Sequence, residues 1–465
     1  MLCFTLGELA NWCRAELANV DTGAHVKCVS TDTRSMRSGC VFFALKGERH
    51  DGHDFVLEAF DRGAIAVVVR KDWLLRNPGT PALVVEDTLK ALGDAAAGYR
   101  LLFGGPVVCI TGSSGKTTTK EMTELAVSSL GPVAKSEANY NNEVGVPLSI
   151  FKIGREHKAA VLELAMRGRG QIRYLAKIAR PDVGVIVSIG DAHLGLLGSR
   201  LAIAEAKAEL LDELPEFGTA VLPRDSEWYS LLTQRCACRR LSFGFHPEAD
   251  FRVAGYEAGE SWSRFSICFR GDEAEVELAA PGEHLAVDAA AAVAAAVALG
   301  VPLRTAADAL SGFQPLDMRG ARLAANGFTV INDAYNANPD SVAAALKSLA
   351  YCGGRKVALL GDMLELGDAS VELHRKVGAL AAKIGIDLLV TVGNLGAEIG
   401  RGALDAGMPP GSVLQFTAPL DAAKALRELL RPGDVVLVKA SRGARLEQAV
   451  EVLVAGNAEE QHCLR

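Results

Sequence analysis

Val107-Val-Cys-Ile-Thr-Gly-Ser-Ser-Gly-Lys-Thr-Thr118 runs from an apolar stretch through a glycine-rich turn into a helical pattern. A strand, a loop and a helix start in that order form a phosphate cradle. Glycines let backbone N–H groups approach phosphate oxygens, and the helix N-terminus adds partial positive charge. Lys116 is placed to neutralise β/γ-phosphates and the Thr117 hydroxyl to hold Mg²⁺. Gly112, Ser113, Ser114, Gly115, Lys116, Thr117 and Thr118 are therefore candidate ATP contacts. The common phosphate loop has a glycine five positions before the Gly-Lys pair. Ile110 stands there, so the motif is shortened to G-x-x-G-K-T, unlike that of a generic P-loop GTPase or motor.

Outward from the loop, apolar runs at Ala159–Ala165 and Val183–Ile189 alternate with helical stretches. That alternation predicts a mainly parallel sheet covered on both faces. From about 241 to 280 the alternation changes, as in Phe265-Ser-Ile-Cys-Phe269, which predicts antiparallel strands attached to the same unit. On one side, Gly104-Gly-Pro106 reads as a linker after a block with short strands at Val41–Leu45 and Ala64–Val69. On the other, strands at Thr329–Asn332, Lys356–Leu360, Asp387–Thr391 and Asp434–Lys439 alternate with helices. They predict a second doubly wound unit. The expectation is an α/β protein of three domains: a smaller N-terminal α/β substrate domain (1–103), a central P-loop parallel-sheet ATPase domain (104–314) and a C-terminal doubly wound domain (315–465). A chain of 465 residues is too long for one core.

The composition is that of an ordinary globular protein, 49% hydrophobic and 23% charged. A net charge of −7 without a basic stripe disfavours nucleic acid as a partner. Leu285–Pro302 carries Asp288 and reads as a buried helix, not a membrane span, so no membrane insertion is expected. The first residues lack a signal-peptide pattern and read as an amphipathic helix. Ten scattered cysteines predict no disulfides and a reducing compartment.

Two residues, Glu163 and His193, have two readings on their own chemistry, and a third, Lys207, has one. Glu163 sits in the apolar run Val161-Leu-Glu-Leu-Ala165, where a carboxylate is either paired or metal-bound, or faces water from an edge strand. His193, in Gly190-Asp-Ala-His-Leu-Gly195, is either structural or a ligand. Lys207, in Ile203-Ala-Glu-Ala-Lys-Ala-Glu209, is by composition a solvated helix lysine.

The shortened loop resembles that of the Mur ligase family, ATP-dependent enzymes that extend the peptide of peptidoglycan precursors. Other segments match in order: Ser30-Thr-Asp-Thr-Arg34, Gly39–Gly47, Asp51-Gly-His-Asp-Phe55, Asn139-Tyr-Asn-Asn-Glu-Val-Gly-Val-Pro147, Asp317-Met-Arg-Gly320 and Asn332-Asp-Ala-Tyr-Asn-Ala-Asn-Pro-Asp-Ser341. Leu360-Gly-Asp-Met-Leu-Glu-Leu-Gly367, His374 and Val438-Lys-Ala-Ser-Arg442 add to these, with turn and cap chemistry a competing explanation. Tyr-Asn-Ala-Asn-Pro discriminates most, pointing to the branch that adds a D-alanyl-D-alanine dipeptide.

The resemblance implies UDP-N-acetylmuramoyl-tripeptide, D-alanyl-D-alanine and ATP as substrates, with two Mg²⁺. It places the UDP-sugar on Ser30, Asp32, Arg34, Lys46 and Gly47, where a polar loop set is the alternative, and puts Asn142 in the substrate and magnesium cleft. Glu163 and His193 become magnesium ligands, and Lys207 becomes a carbamylated lysine beside the second Mg²⁺. The pattern often has an acidic residue where this chain has Gly195. Arg319 reaches the ATP phosphates, Asp333 binds ribose hydroxyls, and Asn336 and Asn338 neighbour nucleotide or dipeptide. A cytoplasmic bacterial monomer is expected. The implied chemistry is carboxylate activation to an acyl phosphate, then attack by the dipeptide amine. Because the phosphates sit on the second block and Arg319 and Asp333 on the third, domain closure is expected. Competing readings are another ligase of the same superfamily, such as a folylpolyglutamate synthase, a P-loop kinase or ATPase, and a non-catalytic nucleotide-binding scaffold.

Overall fold

The structure is a computed structural model and describes residues 1–455; the polar end of the chain lies outside them. Among the described residues three sheets form. The first comprises β1 (Glu16–Ala18), β2 (Cys28–Ser30), β3 (Cys40–Phe43), β4 (Ala66–Arg70) and β5 (Ala82–Val85), in the order β1-β5-β4-β3-β2. Alternate residues divide between its faces. Val41, Phe43, Val68 and Leu83 pack with the helix Thr88–Arg100, while Phe42, Val67, Val69 and Val84 form a second core. With both faces covered, these strands read as continuous apolar runs in the sequence.

One expectation fails here. Cys28 and Cys40 are joined as a disulfide. Parallel pairing of β2 with β3 sets the two residues directly opposite, with Cα atoms 4.3 Å apart. Their separation of 12 positions gives no close-pair signal in the sequence, because tertiary pairing alone brings them together.

The second sheet is built from β6 (Val107–Thr111), β7 (Val133–Lys135), β8 (Ala159–Glu163), β9 (Val183–Ile186), β10 (Thr219–Pro223), β11 (Arg239–Gly244), β12 (Phe251–Ala258), β13 (Ser263–Phe269) and β14 (Asp272–Leu278). Its order is β14-β13-β12-β11-β10-β9-β6-β8-β7, parallel through β12 and antiparallel beyond, as the change of alternation predicts. The order of strand addition reverses around β6: the connections run first to β7 and β8, then back to β9 on the other side. A crevice at the carboxyl ends of β6 and β9 follows from that topology, and ligands bind at such switch points. The alanine-rich helix Glu283–Ala298 is buried and packs against the helix Lys116–Val127. Alanine's small side chain permits that close approach to the phosphate loop.

The third sheet comprises β15 (Ala321–Ala325), β16 (Phe328–Asn332), β17 (Lys356–Gly361), β18 (Leu388–Val392), β19 (Val413–Phe416) and β20 (Val435–Lys439), in the order β15-β16-β20-β17-β18-β19. β15 and β19 are additions to the four strands expected. Both are peripheral and only partly buried, so their apolar signal is weak.

The helix Thr88–Arg100 ties the first sheet to the second. The Tyr99 hydroxyl accepts from Leu2 N at 2.6 Å and donates to Ile153 O at 2.6 Å. Arg100 Nε donates to Ala179 O at 2.9 Å. Among the described residues, no helix is long and apolar enough to cross a membrane.

Candidate active site at the junction of the second and third sheets

The loop after β6 wraps over the start of the helix Lys116–Val127. Gly115 takes φ +81°, and a Cβ there would lie 2.5 Å from Asp288 Oδ1, so glycine is required on both counts. The loop is fixed to the segment after β9: Ser113 N donates to Ser188 O at 2.9 Å and Ser114 N to Ser188 Oγ at 2.9 Å. Lys116 Nζ lies 2.8 Å from Gly112 O. The next side chain, Thr117, donates its hydroxyl to Glu163 Oε2 at 2.7 Å, and Asn141 Nδ2 donates to Glu163 Oε1 at 2.8 Å.

Glu163 is 1% exposed and ends β8, which lies between β6 and β7. The edge-strand alternative is thereby removed. Its carboxylate reaches the phosphate loop because β6 and β8 are parallel neighbours, with Ile110 opposite Glu163.

A cavity of about 760 Å³ opens from this loop toward the third sheet. Ser113 to Thr118, Asn142, Glu163 and His193 line it on one side; Arg319, Asp333, Asn336 and Asn338 line it on the other. Lys207 lies outside the lining but belongs to the same electrostatic cluster. Burial pushes its ammonium well below the usual lysine range, and Lys116 adds to that push. Among the described residues the Lys207 ammonium has neither a hydrogen-bond nor an ion-pair partner, and the residue is 2% exposed, so the expectation of a solvated helix lysine fails. Burial also lowers Lys116, with Arg319 acting in the same direction and Glu163 opposing. His193 is lowered chiefly by burial, and Lys207 and Lys116 contribute. These basic groups from separate elements repel one another, an arrangement that favours a bound polyanion.

On the far side, Asp333 follows β16 and meets Lys439, which ends the adjacent β20, at 2.7 Å. Burial raises the Asp333 carboxyl while Lys439 and Arg319 hold it down. Lys439 Nζ also donates to Asn336 O at 3.0 Å. Arg319 lies over the Tyr335 ring, 4.0 Å from its centroid. Asn338 caps the helix Pro339–Ala350 by accepting from Ser341 N at 2.9 Å, and its Nδ2 donates to Ser113 O at 3.3 Å. One side chain thus performs cap chemistry and touches the phosphate loop.

Direct contacts close the junction. Asp191 N donates to Asp340 Oδ2 at 3.2 Å, Gly195 N donates to Glu365 O at 2.8 Å, and His193 Nδ1 lies 2.5 Å from Glu365 Oε2.

The structure does not bring Ser30, Asp32, Arg34, Lys46 or Gly47 to this cavity. Arg34 and Lys46 are exposed on the first domain, and Arg34 is paired with Asp32 through Nη2 at 2.7 Å. Asn142 lines the cavity, but its Oδ1 accepts from Gly145 N at 2.9 Å, whereas its neighbour Asn141 makes the contact with Glu163.

The lining also holds titratable residues outside the expected set, among them His284 and Asp288. Burial lowers His284 to about 4 and raises the Asp288 carboxyl well above its ordinary value. Asp288 is legible as the lone carboxylate in an alanine-rich run, which speaks against a membrane span but does not by itself point to a ligand site.

For a metal, Thr117 and Glu163 supply the few oxygen donors that Mg²⁺ takes from protein when phosphates and water complete its shell. Among the described residues no cluster of three or more His, Cys, Asp or Glu is positioned to hold a metal unaided.

Comparison with known proteins matches the Mur ligase family, catalytic domain, over residues 25–100, the Mur ligase middle domain over 110–296, and the Mur ligase, glutamate ligase domain over 318–442. A Bacillus subtilis protein named UDP-N-acetylmuramoyl-tripeptide--D-alanyl-D-alanine ligase is 36% identical over 462 residues, covering 98% of this chain and 99% of its own. The crystal structure of MurF from Acinetobacter baumannii superposes with a TM-score of 0.90 at 32% identity, covering 98% of this chain and 99% of that one. MurF ligase from Thermotoga maritima, solved in complex with ADP, gives a TM-score of 0.82 at 29% identity over 92% of this chain and 97% of that one. The correspondence runs through all three sheets, and the chain belongs to the Mur ligase family.

Proposed function

We infer that this chain is an ATP-dependent amide ligase that joins D-alanyl-D-alanine to UDP-N-acetylmuramoyl-tripeptide, releasing ADP and phosphate. The observation that carries this reading is the junction itself. The phosphate loop with its Thr117–Glu163 pair faces Arg319 and Asp333 across one cavity, as transfer between a nucleotide and a second anionic substrate requires. Likeness to the named D-alanyl-D-alanine ligases over nearly the whole chain selects this substrate pair over that of another Mur ligase or a folylpolyglutamate synthase.

Backbone N–H groups of Gly112 to Thr118 and the Lys116 ammonium hold the β- and γ-phosphates. Arg319 approaches the same phosphates from the third sheet, and Asp333, fixed by Lys439, takes ribose hydroxyls. The tripeptide's terminal carboxylate attacks the γ-phosphorus, giving an acyl phosphate and ADP. The dipeptide amine then attacks the acyl carbon, and the tetrahedral intermediate expels phosphate. The chain's contribution is positioning and charge compensation. Mg²⁺, held by Thr117 and Glu163 at one site and by His193 at a second, would offset the charge of two anions brought together.

Lys207 is suited to carbamylation. Its buried amine is held toward the neutral form, which is the form that adds CO₂, and the resulting anion would sit among Lys116 and His193. The first domain, residues 1–103, would present the UDP-sugar through Ser30, Asp32, Arg34, Lys46 and Gly47, with residues 104–314 binding ATP and 315–465 closing on it. The protein is read as a cytoplasmic monomer acting at the last soluble step of muramyl-pentapeptide synthesis. Incubation with ATP, Mg²⁺, UDP-N-acetylmuramoyl-tripeptide and D-alanyl-D-alanine should yield the pentapeptide by mass spectrometry. ATP hydrolysis indifferent to either peptide substrate would refute the assignment.

A further inference from the structure

Glu365 lies in the loop after β17, and among the described residues its polar contacts reach the second domain. Its Oε2 is 2.5 Å from His193 Nδ1, its Oε1 is 3.7 Å from Arg167 Nη2, and its carbonyl accepts from Gly195 N at 2.8 Å. Both partners of the central contact are non-glycine residues with left-handed backbones: His193 at φ +66° and Glu365 at φ +64°. Such conformations are costly for residues with a Cβ and persist where surrounding structure enforces them. The enforcing structure is a contact without side chains. A Cβ on Gly195 would lie 2.5 Å from Gly367 N, and one on Gly367 would lie 2.8 Å from Gly195 Cα. The two loops meet backbone to backbone, and only glycine at both positions allows it.

We propose that Glu365 is a positioning residue that couples closure of the third domain to assembly of the metal site, by fixing the His193 ring when Gly195 and Gly367 come into contact. An ionised carboxylate only accepts hydrogen bonds, so Nδ1 carries the imidazole proton and Nε2 keeps its lone pair for a cation. A carboxylate behind a metal-binding histidine fixes ring orientation and raises its basicity, and its loss costs about 10–100-fold in metal affinity. Here that carboxylate belongs to a different domain from the histidine. The histidine is therefore fully oriented only in the closed arrangement. The absence of a side chain at 195, where the family pattern often has an acidic one, is what lets the loops close to this distance.

The inference rests on the reading of His193 as a metal ligand, and the test separates the two. Mn²⁺ binding to the full-length enzyme with saturating ADP is followed by electron paramagnetic resonance, with compaction followed by small-angle scattering. Glu365→Ala should weaken the Mn²⁺ site that His193→Ala abolishes by about 10–100-fold. Glu365→Gln, which keeps an acceptor oxygen, should recover part of that loss. Gly195→Ala retains every donor side chain and should produce the same weakening, together with reduced compaction. Wild-type Mn²⁺ affinity in both Glu365→Ala and Gly195→Ala, with the site lost in His193→Ala, would overturn the coupling and leave the His193 reading intact. No effect of His193→Ala would overturn that reading and the coupling with it.

Discussion

Glu163→Gln is the substitution in which metal and phosphate make opposite demands on one side chain. The carboxylate is buried, accepts from Thr117 at 2.7 Å and from Asn141 at 2.8 Å, and adjoins the phosphate loop. Glutamine keeps the volume and one acceptor oxygen but removes the charge. Hydrogen bonds to a charged group contribute about 1.5–3 kcal/mol, against about 0.5–1.5 for neutral pairs. The loss of a metal contact of that class is therefore worth about 1.5–3 kcal/mol, which corresponds to roughly 10–150-fold in affinity at 1.4 kcal/mol per decade. Calorimetric titration with ADP in Mg²⁺ should show weakening in that range. In EDTA the sign reverses, because wild-type Glu163 repels the diphosphate and the glutamine does not; metal-free ADP should bind Glu163→Gln at least as tightly as wild type. Glu163→Ala should add a stability loss of about 1–3 kcal/mol, since it leaves the buried Thr117 hydroxyl without its acceptor. Equal weakening of ADP binding with and without Mg²⁺ in Glu163→Gln would refute the assignment of this carboxylate to the metal.

Lys207→Met should stabilise the protein at neutral pH and flatten its stability profile. The folded amine has a pKa well below 10.5, so between the two pKa values the unfolded chain binds one proton more. Wild-type stability therefore rises with pH through that window, by up to about 1.4 kcal/mol per pH unit, and levels off above the ordinary lysine pKa. Thermal unfolding in CO₂-free buffer from pH 7 to 9 compares the slopes. Lys439→Met leaves the Asp333 carboxylate without its 2.7 Å partner and should cost about 3–5 kcal/mol, largely recovered in the double variant with Asp333→Asn; urea unfolding of all three tests this. Tyr99→Phe removes a hydroxyl that bridges Leu2 N and Ile153 O, and should lower the unfolding midpoint by an amount equivalent to about 1–3 kcal/mol without changing ADP affinity.

The parts of this site legible in the sequence are those where local chemistry and position coincide. The phosphate loop is one: its glycines, lysine and threonine act where the chain order places them, between β6 and the helix Lys116–Val127. Asp333 is another, because a strand end in an open α/β sheet is a ligand position whatever its neighbours. Glu163 was half legible. The cost of a carboxylate in an apolar run shows in one dimension, but its partner Thr117, 46 positions away, is within reach only because β8 lies beside β6. For Lys207 composition alone points to a solvated side chain, because a helix rich in alanine and charged residues looks solvated until its neighbours are known. The Cys28–Cys40 bond and the two oppositely shifted groups His284 and Asp288 fail for the same reason: each is defined by what tertiary packing places opposite it.

Gly195 carries that reasoning furthest. In the sequence it is a missing acidic side chain, and a missing group carries no chemistry to read. In the structure the same position is where the second domain meets Gly367 of the third, at a distance that excludes any side chain. An acidic residue there would hold the loops apart and add a second carboxylate near His193. Gly195 instead leaves Glu365, from the opposing domain, as the carboxylate on that ring. A group that a single loop could have supplied locally is supplied across the junction, so its presence at His193 depends on the relative position of two domains. On the coupling proposed for Glu365, that dependence makes closure a condition for the chemistry.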